Sequence, residues 1–130
     1  FNHPVKELVW MFPSSVSGAE KFGWLEALSS AKLQLNGHDR IAVRSGDYFK
    51  LVQPYQHHSN CPTGNVYVYS FALRPEEHQP SGTCNFSRID NATLNLTTNT
   101  TAGISTVQIF AVNYNVLRVM SGMGGLAYSN

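Results

Sequence analysis

The sequence predicts an all-β domain of the sandwich or barrel kind. Three observations carry that reading. Several segments alternate apolar and polar residues with the two-residue period of a half-buried strand. The connections between them are rich in Gly, Pro, Asn and Ser. No βαβ unit and no internal repeat is found, so a parallel sheet has no support.

Residues 5–11 (Val5 to Met11) form the first strand, stopped by Pro13 and the Ser/Gly stretch behind it. Residues 14–30 read as a variable connection. Ala19, Phe22, Leu25 and Leu28 have roughly helical spacing there, but Gly23 weakens a helix. Residues 31–35 alternate as a strand should, and Asn36-Gly37 supplies the positive φ angles of a tight turn. Ile41, Ala42 and Val43 make a short extended piece. Asp47 is placed to cap a helical turn over 48–53, which Pro54 should end.

Residues 65–73 are the strongest strand, rich in β-branched and aromatic side chains. Val66, Val68, Ser70 and Ala72 fall on one face and Tyr67, Tyr69, Phe71 and Leu73 on the other, so both faces can be buried. A long loop, 74–91, follows; it is nearly devoid of aliphatic residues, and a loop of that length is usually functional or disordered. Residues 92–97 alternate again, 99–103 turn the chain, and 106–114 form the last long strand, extending over 116–119. The tail, Ser121-Gly122-Met123-Gly124-Gly125, reads as flexible by composition. The count is five strands.

The 130 residues amount to one domain. A hydrophobic fraction of 42% suffices for a core, and 12% aromatic residues exclude a disordered chain. Only 13% of residues are charged, against about 25% in ordinary soluble domains. A surface so poor in charge fits a protein that buries much of its exterior against neighbours. The net charge of +1, with no Lys/Arg run, argues against a nucleic-acid surface. No apolar run approaches the roughly 20 residues of a membrane span. No signal peptide is visible, and without an initiator Met the chain reads as a piece of something longer. Cys61 and Cys84 stand too far apart for zinc spacing and do not make a disulfide scaffold, so reduced thiols are expected.

His57-His58 is the obvious metal suspect, but adjacent residues on an extended chain diverge, and neither His-x-His nor HExxH occurs. Imidazoles bonded to backbone are the expectation. Glu76-Glu77-His78 suggests acid–base work, yet Pro75 and Pro80 fit a stiffened interface loop better. No GxSxG and no phosphate loop occurs. The reading is therefore not an enzyme, with no catalytic residue, metal or cofactor. Sequons stand at Asn85, Asn91, Asn95 and Asn99, and act only in a secretory compartment; Asn95, inside a strand, is an awkward acceptor.

Several segments form a set, in order along the chain. They are the opening Phe1-Asn2-His3-Pro4-Val5-Lys6-Glu7-Leu8-Val9-Trp10, then Leu33-Gln34-Leu35-Asn36-Gly37-His38-Asp39-Arg40, then Tyr48-Phe49 and Val52-Gln53-Pro54-Tyr55-Gln56-His57-His58. The strand 66–73, the loop 74–92 and the ending 111–130 complete it. Together these segments resemble the major capsid proteins of nucleocytoplasmic large DNA viruses. Residues 14–30 do not match. The resemblance implies two consecutive jelly rolls in a longer protein, three chains per capsomer with pseudo-sixfold outline, and capsomers tiling an icosahedral shell over an inner membrane. This chain looks like the last part of the second roll, strands E to I, a single partial domain spanning 1–130.

The implied function is a structural major capsid protein subunit, located in the virion capsid and assembled in host cytoplasm. Its implied partners are itself as a homotrimer, neighbouring capsomers, minor capsid proteins and the rest of the same capsid chain. Neither nucleic acid nor a direct membrane span is expected. The contact candidates lie in two loops, 48–58 and 74–91: Gln53, Tyr55, His57, His58, Arg74, Glu76, Glu77, His78, Arg88 and Asp90. Arg88 could pair with Asp90, and Arg74 with Glu76 or Glu77. A jelly roll pairs B with I, I with D and D with G, and C with H. A piece without its early strands therefore has open edges. Each orphaned backbone group, if buried, costs about 1–3 kcal/mol, against a net domain stability of about 5–15 kcal/mol. Other chain segments must complete the sheets. The rival readings are a jelly-roll carbohydrate-binding module, with Trp10, Trp24 and the tyrosines as stacking platforms, and a cupin-like metalloenzyme. The plainer place for Trp10 and the tyrosines is the core.

Overall fold

The computed structural model describes residues 1–13, 27–99 and 106–128. Among them are nine strand segments rather than five: β1 (Pro4–Met11), β2 (Leu28–Leu35), β3 (His38–Ser45), β4 (Val66–Ser70), β5 (Cys84–Asn85), β6 (Ala92–Thr98), β7 (Gln108–Asn113), β8 (Leu117–Met120) and β9 (Met123–Leu126). β1 is the centre of one antiparallel sheet. It pairs with β7 on one flank and with β4, continued by the short β5, on the other. β2 is the centre of a second antiparallel sheet, between β3 and β6. Among the described residues β8 and β9 pair only with each other.

Trp10, Leu8, Val5 and Tyr67 of the first sheet pack with Leu28, Ala31 and Leu33 of the second. The Trp10 and Tyr67 rings stack at 6.1 Å, and the Tyr67 hydroxyl accepts a hydrogen bond from the Leu28 amide at 3.2 Å. That bond ties the two sheets together inside the core. Plain alternation would put Val5 on the opposite face from Leu8 and Trp10. A bulge corrects this: Val5 faces Asn113 and Glu7 faces Val112, so Lys6 is the extra residue. Val5, Leu8 and Trp10 all turn inward, and Glu7 and Val9 turn outward.

Several sequence expectations change. β2 begins at Leu28, inside the stretch read as connection, because Ala27 and Leu28 are buried in the core. β3 runs over eight residues, paired along most of its length to β2. β4 stops at Ser70 rather than residue 73, because the amides of Phe71 and Ala72 both bond to the Lys6 carbonyl. Ser70 locks the bend, its hydroxyl donating to the Ala72 carbonyl and accepting from the Ala72 amide. Asp47 is not a cap: it is itself helical and its side chain makes no capping bond. Nor does Pro54 end the turn. It sits at the start of a helix, α1 (Gln53–His57), where the hydrogen-bond pattern changes. A π-helical stretch, Tyr48–Val52, runs directly into α1.

The tail expected to be flexible is the β8–β9 hairpin. Ser121 and Gly122 both have positive φ (51° and 76°), as a two-residue hairpin turn requires. Of the residues read with helical spacing, Leu28 opens β2 instead, whereas Ala19, Phe22 and Leu25, with Gly23, lie outside the described residues, as do Trp24 and most of the 99–103 turn.

Candidate functional site

The two segments expected to make contacts, 48–58 and 74–91, meet in the structure. The link is His58, just past the C-terminus of α1. Its Nε2 lies 2.7 Å from Glu7 Oε2 and its Nδ1 lies 3.1 Å from Glu76 Oε1. The Glu7 side chain is 9% exposed and that of His58 20%. Both contacts are hydrogen bonds only when the imidazole carries two protons, since a carboxylate can only accept. Beside it, His57 Nδ1 lies 3.0 Å from the Leu73 carbonyl. The two histidines thus serve different partners. His57 bonds to backbone as expected, whereas His58 bonds to carboxylates.

Glu76 is the hub on the loop side. It accepts from the Ser59 amide at 3.0 Å and from the Ser59 hydroxyl at 3.0 Å. The Ser59 amide and then its hydroxyl hold the Glu76 carboxyl below its ordinary value of 4.5, with His58 adding a smaller pull. No group of three His, Cys, Asp or Glu side chains among the described residues is placed to hold a metal ion.

The remaining candidates fall on either side of this latch. Arg74 pairs with Glu77, not Glu76, at 3.3 Å, and both side chains are more than half exposed. The Ser81 hydroxyl accepts from the Arg74 amide and closes the loop on itself. His78 is exposed. Tyr55 projects from α1 with 81% of its surface bare. Gln53 requires a correction. It is buried, donates its amide to the Tyr48 hydroxyl at 2.8 Å, and accepts the Ser70 amide at the outer edge of β4. Its side chain stands in for a further strand there, so it is not available to a partner.

The second half of the loop is ordered rather than slack. β5 pairs with Pro4 and Val5, and a 3-10 turn over Phe86–Arg88 buries Phe86 edge-on against Phe71 at 6.0 Å. The Asn85 side chain caps that turn by accepting from the Ser87 amide. Asn36, at the β2–β3 turn, accepts from the amides of Asp90 and Asn91 with its side chain. Arg88 and Asp90 form no ion pair among the described residues. The sequons at Asn91 and Asn99 are exposed, and Asn95 lies within β6 with its amide on Gln34. Cys61 and Cys84 are free thiols, and burial pushes the Cys84 thiol up.

Sequence reasoning missed Glu7, Ser59 and Asn36. A signal for Glu7 was present: a carboxylate set among Val5, Leu8, Val9 and Trp10 in a strand needs a partner. Nothing in the sequence pointed to Ser59.

The model of the family described as large eukaryotic DNA virus major capsid protein matches residues 1–125. The major capsid protein of Pyramimonas orientalis virus is 56% identical over all of this chain, which spans 38% of that protein's length. The major capsid protein of Paramecium bursaria Chlorella virus 1 is 52% identical over 82% of the chain, which spans 29% of that protein. Among solved structures, PBCV-1 VP54, fitted into a reconstruction of the virophage Sputnik, superposes on the whole chain with a TM-score of 0.87 and 43% identity; the chain covers 44% of it. The quasi-atomic PBCV-1 virus capsid gives a TM-score of 0.84 at 42% identity, again over the whole chain.

Proposed function

This chain belongs to the large eukaryotic DNA virus major capsid protein family, and on that premise we propose that it is part of a structural shell subunit rather than an enzyme. The observation that carries the reading is the sheet order. In an eight-stranded jelly roll lettered B to I, one sheet runs B-I-D-G and the other C-H-E-F. Here β7–β1–β4 has the order I-D-G, and β6–β2–β3 has the order H-E-F. The chain is thus read as D to I, with β1 as strand D, in place of the E to I expected from the resemblance. The open outer edges of β7 and β6 are where B and C belong. Both strands come earlier in such a roll, so the upstream part of the same subunit supplies them.

In this reading the subunit assembles as a homotrimer of pseudo-hexameric outline, and trimers contact neighbouring capsomers and minor capsid proteins in a virion assembled in host cytoplasm. Tyr55, the Arg74–Glu77 pair, His78, Arg88 and Asp90 are the exposed contact candidates. The latch at His58 holds their two loops in one shape, so binding has less conformational entropy to overcome. The carbohydrate-binding alternative is not favoured: of its stacking platforms Trp10, Tyr67 and Tyr69 are 0%, 1% and 8% exposed, although Tyr55 and Tyr128 are bare. No helix among the described residues is long and apolar enough to cross a membrane. The test is expression of the full-length subunit, followed by electron microscopy. Trimers and ordered shells are expected; a full-length product that stays monomeric at every concentration overturns the proposal.

A further inference from the structure

The β8–β9 hairpin is bare on both faces. Its register pairs Leu117 with Leu126, Val119 with Gly124, Arg118 with Gly125 and Met120 with Met123. One face therefore carries Leu117, Val119 and Leu126, which are 71%, 64% and 58% exposed. The other carries Met120 and Met123, 56% and 74% exposed, and Arg118, which line an open hollow. An antiparallel sheet with a solvated face normally makes that face polar, and this hairpin has no such face. A two-stranded hairpin alone is only marginally stable in water.

The glycines point the same way. Gly124 and Gly125 lie in extended backbone without positive φ, and a Cβ on either would meet nothing within 4 Å. Neither conformation nor crowding within this chain calls for them. Glycine in a strand costs roughly 0.5–1 kcal/mol relative to alanine, and it often marks the close approach of another backbone.

The position of the hairpin names the occupant. Asn115 fixes its base, accepting from the amides of Val116 and Tyr128 and donating to the Tyr128 carbonyl. Tyr128 in turn lies against the His3 ring at 5.4 Å, and Asn113 donates to the Asn2 carbonyl. Any polypeptide joined at Phe1 thus leaves the domain beside the hairpin. The relatives described above are more than twice as long as the matched part. We propose that both faces of the β8–β9 hairpin are covered within one subunit by the polypeptide upstream of Phe1, whose backbone closes on Gly124 and Gly125. Its contact surface is apolar, with one acidic group opposite Arg118, which makes no ion pair among the described residues. This inference rests on reading the chain as part of a longer capsid subunit.

The test uses a full-length subunit: residues 1–130 placed behind the part of the Pyramimonas orientalis virus major capsid protein that precedes the matched region. Met123→Cys and Tyr55→Cys are made separately with Cys61 and Cys84 changed to Ser, and maleimide labelling is followed in monomeric subunit. Labelling at 123 at least about tenfold slower than at 55 is expected, although Met123 and Tyr55 are both highly exposed in this chain (74% and 81%). Equal rates overturn the proposal, and protection at 123 that arises only on trimer formation overturns it in favour of a second copy. Gly125→Val is the second measurement. It meets nothing here, so a lowered melting temperature of the monomeric subunit supports the proposal and an unchanged or raised one refutes it. Shell formation by electron microscopy is scored apart. Shells with rapid labelling at 123 in the monomer sink only this inference; protection at 123 without shells sinks only the capsid reading.

Discussion

Removing the imidazole of His58 is the sharpest test of the latch. Glu7 sits at the centre of β1, paired to β4 on one side and β7 on the other, with its carboxylate turned outward and covered by His58. His58→Ala leaves that carboxylate largely buried without its partner at 2.7 Å. A buried acceptor left without its donor costs about 1–3 kcal/mol, and more when it is charged. The Glu7 side chain is only 9% exposed, so about 3 kcal/mol applies. In a domain of about 150–250 residues this is roughly 6–12 °C in melting temperature. His58→Gln keeps one donor for Glu7 and should lose about half as much, since a hydrogen bond to a charged group is worth about 1.5–3 kcal/mol. Glu7→Gln in the His58→Ala background should recover stability, because it removes the stranded charge. The assay is thermal unfolding of the full-length subunit by circular dichroism near neutral pH. A His58→Ala protein that melts within about 1 °C of the parent refutes the reasoning, and so does a double variant less stable than the single one.

Two further outcomes follow from the same geometry. A Cβ at Gly46 would stand 2.1 Å from the Leu28 carbonyl oxygen, a backbone atom of the central strand β2. Gly46→Ala must push the helix off that strand, and should cost about 1–3 kcal/mol by chemical denaturation; Gly37→Ala, which meets nothing within 4 Å, should show only the cost of its positive φ, about 1 kcal/mol. The lowered Glu76 carboxyl sets an acid dependence. A depressed carboxylate stabilises the fold above its unfolded value and loses that contribution as pH falls through the lower folded value. Hydrogen exchange at the Ser59 amide should therefore accelerate as pH is lowered below the ordinary 4.5, relative to other amides, and Glu76→Gln should abolish that relative change. A Ser59 amide with no such dependence in the parent counts against the latch.

What the sequence made legible was whatever had a period. β2, β4 and β6 were found by alternation, and the Asn36-Gly37 turn by its chemistry. The errors share one cause, which is that local pattern does not report tertiary partners. Val5 could not be placed on its true face because the bulge at Lys6 depends on register with β7. β4 read as nine residues because the alternation of aromatic and small residues continues through Leu73; its end is set by the Lys6 carbonyl, which is 65 and 66 positions from Phe71 and Ala72. Gln53 was expected at a contact because it lies in the loop 48–58, and its bond to the Ser70 amide explains its burial. The site was legible as two separate loops. That they form one surface depends on Glu7 and Ser59, neither of which lies in either loop.

The Gly-rich tail shows how composition misleads about local order. Glycine and methionine without polar neighbours suggest a slack tail when the chain is judged alone. Ten of the sixteen large hydrophobic residues left exposed among the described residues fall between Val107 and Tyr128. The helix and the two loops already cover the outer face near Glu7, but no described residue covers the outward side of β7, where Phe110 is 51% exposed. Bare apolar surface therefore runs from the open edge of one sheet onto the hairpin. An isolated domain would face aggregation there, and a charge content of 13% leaves few groups to prevent it. The same surface is stabilising once covered, at about 25 cal/mol for each Å² removed from water. On the capsid-subunit reading proposed above, low charge, open strand edges and a hairpin without a polar face are one property: apolar surface placed where the rest of the subunit would bury it.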